Sequence, residues 1–394
     1  MMRRALTPLA LVMLGALFVS AGMLAGCNVP DPYTPTSSVV LTETSTPFPA
    51  SGALPVASKV TPPAQGAYLG AYLPPAPFPL DRVDVHQKET GKSSAIIMWF
   101  QPWQPGNRSN VDTAAIIAIM RRGKVPMITW EPWDPGNNAR FVVDPGEQVS
   151  YRLANINAGV YDEYITQWAG SLRAIGGPIM LRPMHEMNGN WYPWSGTTNG
   201  NKPSDFVKAW KHIHDIFVRE GATNVTWVWS INHESVPRSV ENTYSAYYPG
   251  DAYVDWTAIS GFNRGTSQAD SKWISFRDMY RAPLSYLRGV GKPICISEIS
   301  TLGRPTARAA WIADAYKEIQ LSPEIKAVVY FDSEEQTTEP QDWRIETSSE
   351  ALAAYSTSVA PQYFIGTPPT ELLDWANALS IPQWRYLTAF DPLY

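Results

Sequence analysis

The sequence predicts an α/β protein, a (β/α)8 barrel (TIM barrel) in one folded domain. Eight short apolar segments alternate with amphipathic segments of helical periodicity along most of the chain. Several of the apolar segments, such as Ala95–Phe100, show no polar alternation, as expected for parallel strands that are buried on both faces. Eight such units match a closed barrel better than an open sheet. No glycine-rich nucleotide-binding pattern follows any of these strands.

Residues 1–27 have the pattern of a targeting segment. A short basic start (residues 1–4) precedes a nearly all-apolar run (residues 5–24), which is the architecture of a secretory signal. The ending Leu24-Ala-Gly-Cys27 is typical of a bacterial lipobox, in which Cys27 becomes the lipidated first residue. The alternative is an uncleaved transmembrane anchor, because the run approaches spanning length. We expect an extracytoplasmic protein that is held at the cell membrane by its lipid anchor alone.

The chain then divides into three predicted parts. Residues 28–64 are rich in Pro, Ser and Thr and predict a semi-rigid linker. Residues 65–360 contain the barrel, and residues 361–394 form a C-terminal extension of no assigned function. Once Cys27 is lipidated only Cys295 remains, so we expect no intrachain disulfide and a fold stabilised by core packing.

Composition excludes some classes of partner and favours another. The 394 residues carry a net charge of −5, which argues against nucleic-acid binding. The 16 Trp exceed what a core uses freely, which favours flat aromatic binding surfaces beside core packing. No cluster has the spacing of metal ligands, so we expect no cofactor. We expect a monomer.

The barrel elements follow in order along the chain. The predicted strands are Ala67–Tyr72, Ala95–Phe100, Val125–Trp130, Pro178–Arg182, Val225–Ser230, Trp256–Gly261, Pro293–Glu298 and Lys326–Phe331. The predicted helices are Asp112–Arg122, Tyr161–Ala174, Ser204–Arg219, Trp273–Arg288, Thr306–Gln320 and Ser348–Ser358.

Two glutamates stand at strand ends, where the catalytic groups of such barrels lie. Glu186 follows the fourth strand and Glu298 ends the seventh. Cleavage of a glycosidic bond requires an acid for the leaving oxygen and a second carboxylate, about 5–5.5 Å away in retaining enzymes. The alternative is that either glutamate forms a structural ion pair with Arg182 or Arg304.

The same rim carries indoles and amides, which suit a carbohydrate because amides bond hydroxyl groups and aromatic rings stack on sugar faces. The candidate substrate-binding residues from the strand ends are Trp103, Trp130, Trp133, Asn188 and Asn232. A zinc helix would require a second histidine four positions after His185, where the chain has Gly189. An esterase would require a Gly-x-Ser-x-Gly elbow, and none surrounds a candidate serine.

The stretch from Arg182 to Trp194, Arg-Pro-Met-His-Glu-Met-Asn-Gly-Asn-Trp-Tyr-Pro-Trp, closely resembles the acid/base motif of glycoside hydrolase family 26. The likeness extends to Trp227–Ser230, Tyr248–Trp256 and Pro293–Glu298, and covers roughly residues 66–358. The family consists mostly of β-mannanases, with some mixed-linkage β-glucanases and β-1,3-xylanases.

The resemblance implies a role for each matching residue. Glu186 would be the acid/base and Glu298 the nucleophile of a retaining reaction through a covalent glycosyl–enzyme. His185 would bond the sugar nearest the cleaved bond, and Arg182 would position the carboxylates. Trp191 and Trp194 would form part of the aromatic floor.

One position departs from the family pattern. Members often carry a tyrosine at the end of strand six that hydrogen-bonds the nucleophile, and the aligned residue here is Phe262. A phenyl ring cannot donate that bond. Another donor would have to replace it, or activity would fall. We nevertheless count Phe262 among the substrate-binding candidates.

The sequence therefore predicts a retaining endo-β-glycosidase that acts on a plant-type polysaccharide, with β-1,4-mannan as the first substrate. A mixed-linkage β-1,3-1,4-glucanase is the alternative within the class. A non-catalytic glycan-binding surface lipoprotein is the alternative outside it, but such a binder needs neither Glu186 nor Glu298.

Overall fold

The structure, a computed structural model, describes residues 59–75, 77, 79–103, 110–135, 148–267, 271–335 and 341–369. The targeting segment with Cys27, most of the linker and the end of the C-terminal extension lie outside these residues. Within the described ranges, no helix is long and apolar enough to cross a membrane.

Eight parallel strands form the barrel, and this confirms the predicted fold class. Each strand pairs with the next, and the first also pairs with the eighth, which closes the sheet. The strands are β1 (Ala67–Tyr72), β2 (Ile96–Pro102), β3 (Val125–Glu131), β4 (Ile179–Pro183), β5 (Val225–Asn232), β6 (Trp256–Asn263), β7 (Ile294–Thr301) and β8 (Ile325–Phe331).

Eight helices accompany the strands in the described ranges. They are α1 (Asp81–Thr90), α2 (Thr113–Arg121), α3 (Leu153–Asn157), α4 (Asp162–Ile175), α5 (Pro203–Arg219), α6 (Phe276–Val290), α7 (Pro305–Gln320) and α8 (Ser349–Val359). The Asp112 side chain caps α2 by accepting from the Ala115 amide, and Ser348 caps α8 in the same way. The sequence did not predict α1, whose buried positions include only one aliphatic residue, Val83.

Side chains inside the barrel lie in layers, because alternate residues of a strand point to opposite faces. The lower layer is apolar and contains Met98, Met127, Met180, Val228, Ala258, Cys295 and Ala327. Above it lies a polar layer of Thr129, Arg182, Ser230, Ser260 and Ser297, all fully buried. The residues between these positions pack outward against the helices in a second, larger apolar core. The barrel interior is thus filled by side chains, and its polar layer lies toward the carboxyl ends of the strands.

A short strand, β11 (Phe364–Ile365), joins the amino end of β1 by parallel pairing. The Tyr363 carbonyl accepts from the Ala67 amide, and Gly66 takes the left-handed conformation beside it, where a Cβ atom would meet that carbonyl oxygen. The start of the predicted C-terminal extension is therefore part of the barrel sheet. Two further short strands, β9 (Glu334–Glu335) and β10 (Gln341–Asp342), pair antiparallel after β8.

Candidate active site

The carboxylate of Glu298, on β7, is held by side chains from β4 and β6. Arg182 of β4 donates from Nη2 to its Oε1 at 2.7 Å, and the Ser260 hydroxyl of β6 donates to the same oxygen at 3.1 Å. The pairing registers of β6 with β7 and of β7 with β8 are irregular around these residues. Such a bulge can re-aim a side chain. Here it lets consecutive residues, Ser297 and Glu298, both face the interior.

Arg182 is a fully buried guanidinium that crosses the polar layer. Besides Glu298, it donates to the hydroxyls of Thr129, Ser230, Ser260 and Ser297 at 2.9–3.3 Å. A buried charge is tolerated when it is paired and hydrogen-bonded in this way. The network fixes the rotamer of Glu298 from below and leaves its second oxygen for the mouth of the barrel.

Glu186 reaches the same space from the turn after β4. Its backbone is left-handed, with φ of 55°, and Met184 has φ of 49°. Its amide donates to the Ser230 carbonyl, and its Oε2 accepts from the indole of Trp191 at 2.9 Å. Burial, together with the nearby charge of Glu298, raises the pKa of Glu186 to about 7, while the Trp191 bond opposes this rise. Glu186 therefore keeps its proton over most of the acidic to neutral range.

The two glutamates and His185 each present a donor atom within 4.8 Å of the other two. A metal ion could in principle use such a group. However, the Arg182 guanidinium already occupies one oxygen of Glu298, and the Trp191 indole occupies one oxygen of Glu186. A fixed positive charge in contact with the site disfavours a cation there. The short separation instead suits two carboxyl groups that act on one bond.

His185 is buried beside the pair. Its Nε2 hydrogen-bonds the Tyr192 hydroxyl at 3.1 Å, and its ring packs on Phe100. Its Nδ1 has no hydrogen-bond partner within the described part of the chain, and an oxygen of Glu131 lies 3.9 Å away. Burial and the charge of Arg182 hold the pKa of His185 well below its ordinary value. The imidazole is therefore neutral.

Four residues expected to contact substrate do not face the mouth. Trp103 and Trp130 point outward and pack on each other and on Tyr164, because residue 130 has the opposite parity to the inward-facing Thr129. Trp194 is fully buried, stacks on Tyr192 and donates to the His185 carbonyl, so it supports the site from behind. These three indoles are buried supports behind the site and do not contribute to a binding surface.

Asn188 is the fourth correction. It is fully buried, and its amide donates to the carbonyls of Asn232 and Glu234 while its oxygen accepts from the Asn232 amide. It ties the turn after β4 to the turn after β5. Asn232 is almost buried and donates to the Glu234 carbonyl. The Asn188 side chain therefore joins the two turns, whereas Asn232 ends β5 with the same parity as the inward-facing Ser230.

Phe262 lies at the rim, and among the described residues it contributes no hydrogen bond to Glu298. Its ring packs on Phe331 and Trp343, and the Arg264 guanidinium lies over it. The missing hydroxyl is replaced by Ser260, two positions earlier on the same face of β6, together with Arg182. The sequence reasoning overlooked Ser260, although period-two alternation from Phe262 leads to it.

Glu131 is a second residue that the sequence reasoning missed. It ends β3, and its side chain enters the mouth because Trp130 before it points outward. Its Oε2 accepts from the indole of Trp133 at 3.1 Å, and burial raises its pKa to about 8. Trp133 itself is nearly buried, against Tyr192 and Trp194. A carboxyl group at a predicted strand end was the signal available.

Comparison with known proteins places these residues in context. Residues 116–283 match the sequence model of Glycosyl hydrolase family 26. The chain is 38% identical over 279 residues to endoglucanase H of Acetivibrio thermocellus, an alignment that covers 70% of this chain and 28% of that protein. It is 28% identical over 126 residues to a mannan endo-1,4-β-mannosidase of Bacillus subtilis, covering 31% and 32% of the two chains. The chain thus spans about a third or less of the length of these curated relatives.

Solved structures share the fold. A GH26 β-mannanase from Bacteroides ovatus superposes with a TM-score of 0.56 at 16% identity, covering 79% of this chain and 93% of that one. A mannanase from Bacillus subtilis superposes with a TM-score of 0.54 at 17% identity, covering 78% and 88%. At this identity the likeness concerns the barrel alone.

Proposed function

We propose that this chain, which belongs to glycosyl hydrolase family 26, is a retaining endo-β-glycosidase with Glu186 as acid/base and Glu298 as nucleophile. The observation that carries the proposal is the placement of the two carboxyl groups. Oxygens of the two side chains lie within 4.8 Å of each other. Retaining enzymes hold their carboxyl groups about 5–5.5 Å apart, whereas inverting enzymes leave roughly 6.5–9.5 Å for a water molecule.

The environments of the two groups suit two different tasks. Glu298 accepts from a guanidinium and a hydroxyl, which stabilise its ionised form for attack on the sugar carbon. Glu186 is held protonated by burial and by the charge of Glu298, so that it can protonate the leaving oxygen.

The same coupling supplies the second half of the reaction. When Glu298 becomes covalently bound to the sugar, it loses its charge, and one cause of the raised pKa of Glu186 disappears with it. Glu186, which has already given its proton to the leaving oxygen, is then stabilised as a carboxylate and can act as base toward an incoming water. Hydrolysis of the glycosyl–enzyme restores the charge of Glu298 and the proton of Glu186.

For the substrate, we propose a β-1,4-linked plant polysaccharide. The 38% identity to an endoglucanase, over 279 residues, favours a β-glucan backbone. The shorter alignments with mannan endo-1,4-β-mannosidases support β-mannan as the second candidate.

A substrate panel tests the activity. The chain without residues 1–27 is incubated with mannan, glucomannan, mixed-linkage β-glucan and xylan, and reducing ends and product anomers are measured. We expect cleavage of at least one, with the β-anomer formed first. Glu186→Ala and Glu298→Ala should both abolish turnover. Binding without cleavage by the unmodified barrel would contradict the proposal and favour a glycan-binding lipoprotein. Formation of the α-anomer first would contradict retention.

We also propose that the chain is exported and anchored through a lipid on Cys27, as an extracytoplasmic monomer. The support is the basic start, the apolar run and the Leu-Ala-Gly-Cys ending. The barrel would then act on polysaccharide outside the cytoplasmic membrane.

A further inference from the structure

Glu131 is a further carboxyl group in the mouth of the barrel, and neither role in the proposed reaction uses it. It is held firmly at the end of β3. Its carbonyl accepts from the amides of Trp103 and Trp133, and only 4% of the residue is exposed. A buried carboxyl group lowers the stability of the fold unless its polar atoms are hydrogen-bonded.

The two side-chain oxygens of Glu131 have different neighbours. Its Oε2 accepts from the Trp133 indole, and its Oε1 lies 3.9 Å from the Nδ1 of His185. That distance is too long for a hydrogen bond. The Nδ1 atom is itself buried without a partner in the described residues. A buried imidazole nitrogen without a partner therefore faces the second oxygen of Glu131 across a gap in the active site.

The gap has the dimensions of one hydroxyl group. An oxygen about 2.8 Å from each of two atoms 3.9 Å apart makes two ordinary hydrogen bonds. A sugar hydroxyl can donate one bond and accept one, which matches a neutral carboxylic acid on one side and an imidazole nitrogen on the other.

We propose that Glu131, as a neutral carboxylic acid, and His185 Nδ1 together bind one hydroxyl group of the sugar at the cleavage point. The Oε1–H of Glu131 donates to the hydroxyl oxygen, and the hydroxyl donates to Nδ1. The proton of His185 is then on Nε2, directed to the Tyr192 oxygen. This assignment rests on the proposed glycosidase function and adds a recognition residue to it.

Burial is the main cause that favours the neutral form of Glu131. The groups that interact with it are Arg182 of β4, Glu298 of β7, Glu186 and His185 after β4, Tyr192, and Tyr72 of β1. The only cation among them, Arg182, contacts Glu298 directly. His185 is neutral. The Trp133 bond and Arg182 lower the pKa of Glu131, while Glu298 and Glu186 raise it in the same direction as burial. Glu131 can therefore act as a neutral hydrogen-bond donor.

The first test compares binding by three variants in a Glu186→Ala background, which removes turnover. Affinity for glucomannan, whose backbone offers both glucose and mannose, is measured by affinity electrophoresis. Glu131→Met should weaken binding about 10- to 100-fold, because a buried hydroxyl loses its partner. Glu131→Gln should recover most of that loss, because an amide can accept from Trp133 and donate to the hydroxyl. Glu318→Gln, in an ion pair on the outer helices, is the control.

The second test does not depend on activity. The carboxyl carbons of glutamate are labelled with ¹³C, and the Glu131 resonance is identified by its loss in Glu131→Gln. We expect it to stay protonated through pH 6 in the free protein. Ionisation at the pH of an ordinary glutamate, or unchanged glycan binding by Glu131→Met, would overturn the hydroxyl site. Glycan binding without turnover by the wild-type chain, with both tests as expected, would refute the glycosidase and leave the hydroxyl site standing. Absence of binding would overturn both.

Discussion

The bond between Trp191 and Glu186 makes a quantitative prediction. The indole N–H donates to Oε2 of Glu186 at 2.9 Å and favours its ionised form, so it holds the pKa of Glu186 below the value that burial and Glu298 alone would give. Trp191→Phe removes the donor and keeps an aromatic ring. Hydrogen bonds to charged groups contribute about 1.5–3 kcal/mol. Each 1.36 kcal/mol corresponds to a shift of one unit in the pKa. Because Trp191 is only half-buried, the lower end applies.

We therefore expect the alkaline limb of kcat/KM against pH to move upward by about one unit in Trp191→Phe. The limb reports the pH at which the general acid of the free enzyme loses its proton. Initial rates between pH 4 and 10 on the polysaccharide that the wild type cleaves would measure it. Trp311→Phe is the matched control, because that indole donates to a backbone carbonyl, of Ile274, between the outer helices. An unchanged limb, or a shift to lower pH, would refute the assignment of Glu186 as the acid.

Three further predictions concern the charges of the site and its anchor. Arg182→Met should destabilise the barrel by about 3–5 kcal/mol in urea unfolding, because it leaves Glu298 as a buried charge without its cation; a loss below about 1 kcal/mol would contradict this. Glu131→Gln should gain thermal stability relative to wild type between pH 5 and pH 9. The folded wild type loses stability as pH rises from the pKa of Glu131 in the unfolded chain toward its raised pKa of about 8 in the fold, and glutamine does not titrate. A constant difference in Tm would contradict this. Cys27→Ser should abolish incorporation of labelled fatty acid in the full chain, and retained label would exclude Cys27 as the lipid site.

The fold could be predicted because apolar periodicity is strong in buried parallel strands. The strands begin within a residue or so of their expected positions, but several extend further at their carboxyl ends, as with Glu131, Asn232 and Thr301. Those ends carry polar residues, which a search for apolar runs does not count. Helix α1 was missed for the same reason, since its buried positions include a histidine and a threonine.

The sequence predicted those parts of the site for which the type of a residue and its place at a strand end are enough to suggest a function. Carboxylates at strand ends indicated Glu186 and Glu298, and the family motif added their roles. Composition could not show which aromatic side chains point into the barrel mouth. Trp130 and Glu131 are adjacent in sequence and therefore point to opposite sides of the sheet. The hydroxyl of Ser260 was missed because a lone serine has many structural uses, and only the bulge in β7 brings Glu298 onto it.

The left-handed backbone at Met184 and Glu186 has a consequence for protein engineering. Non-glycine residues in this conformation cost about 1–3 kcal/mol each, and they persist only where the surrounding structure imposes them. Glycine or asparagine at either position would relieve that cost. Selection of libraries for heat resistance alone should therefore enrich such substitutions, and the most heat-resistant barrels would be those that have lost Glu186, the proposed acid. Improvement of this chain requires selection for turnover at every round.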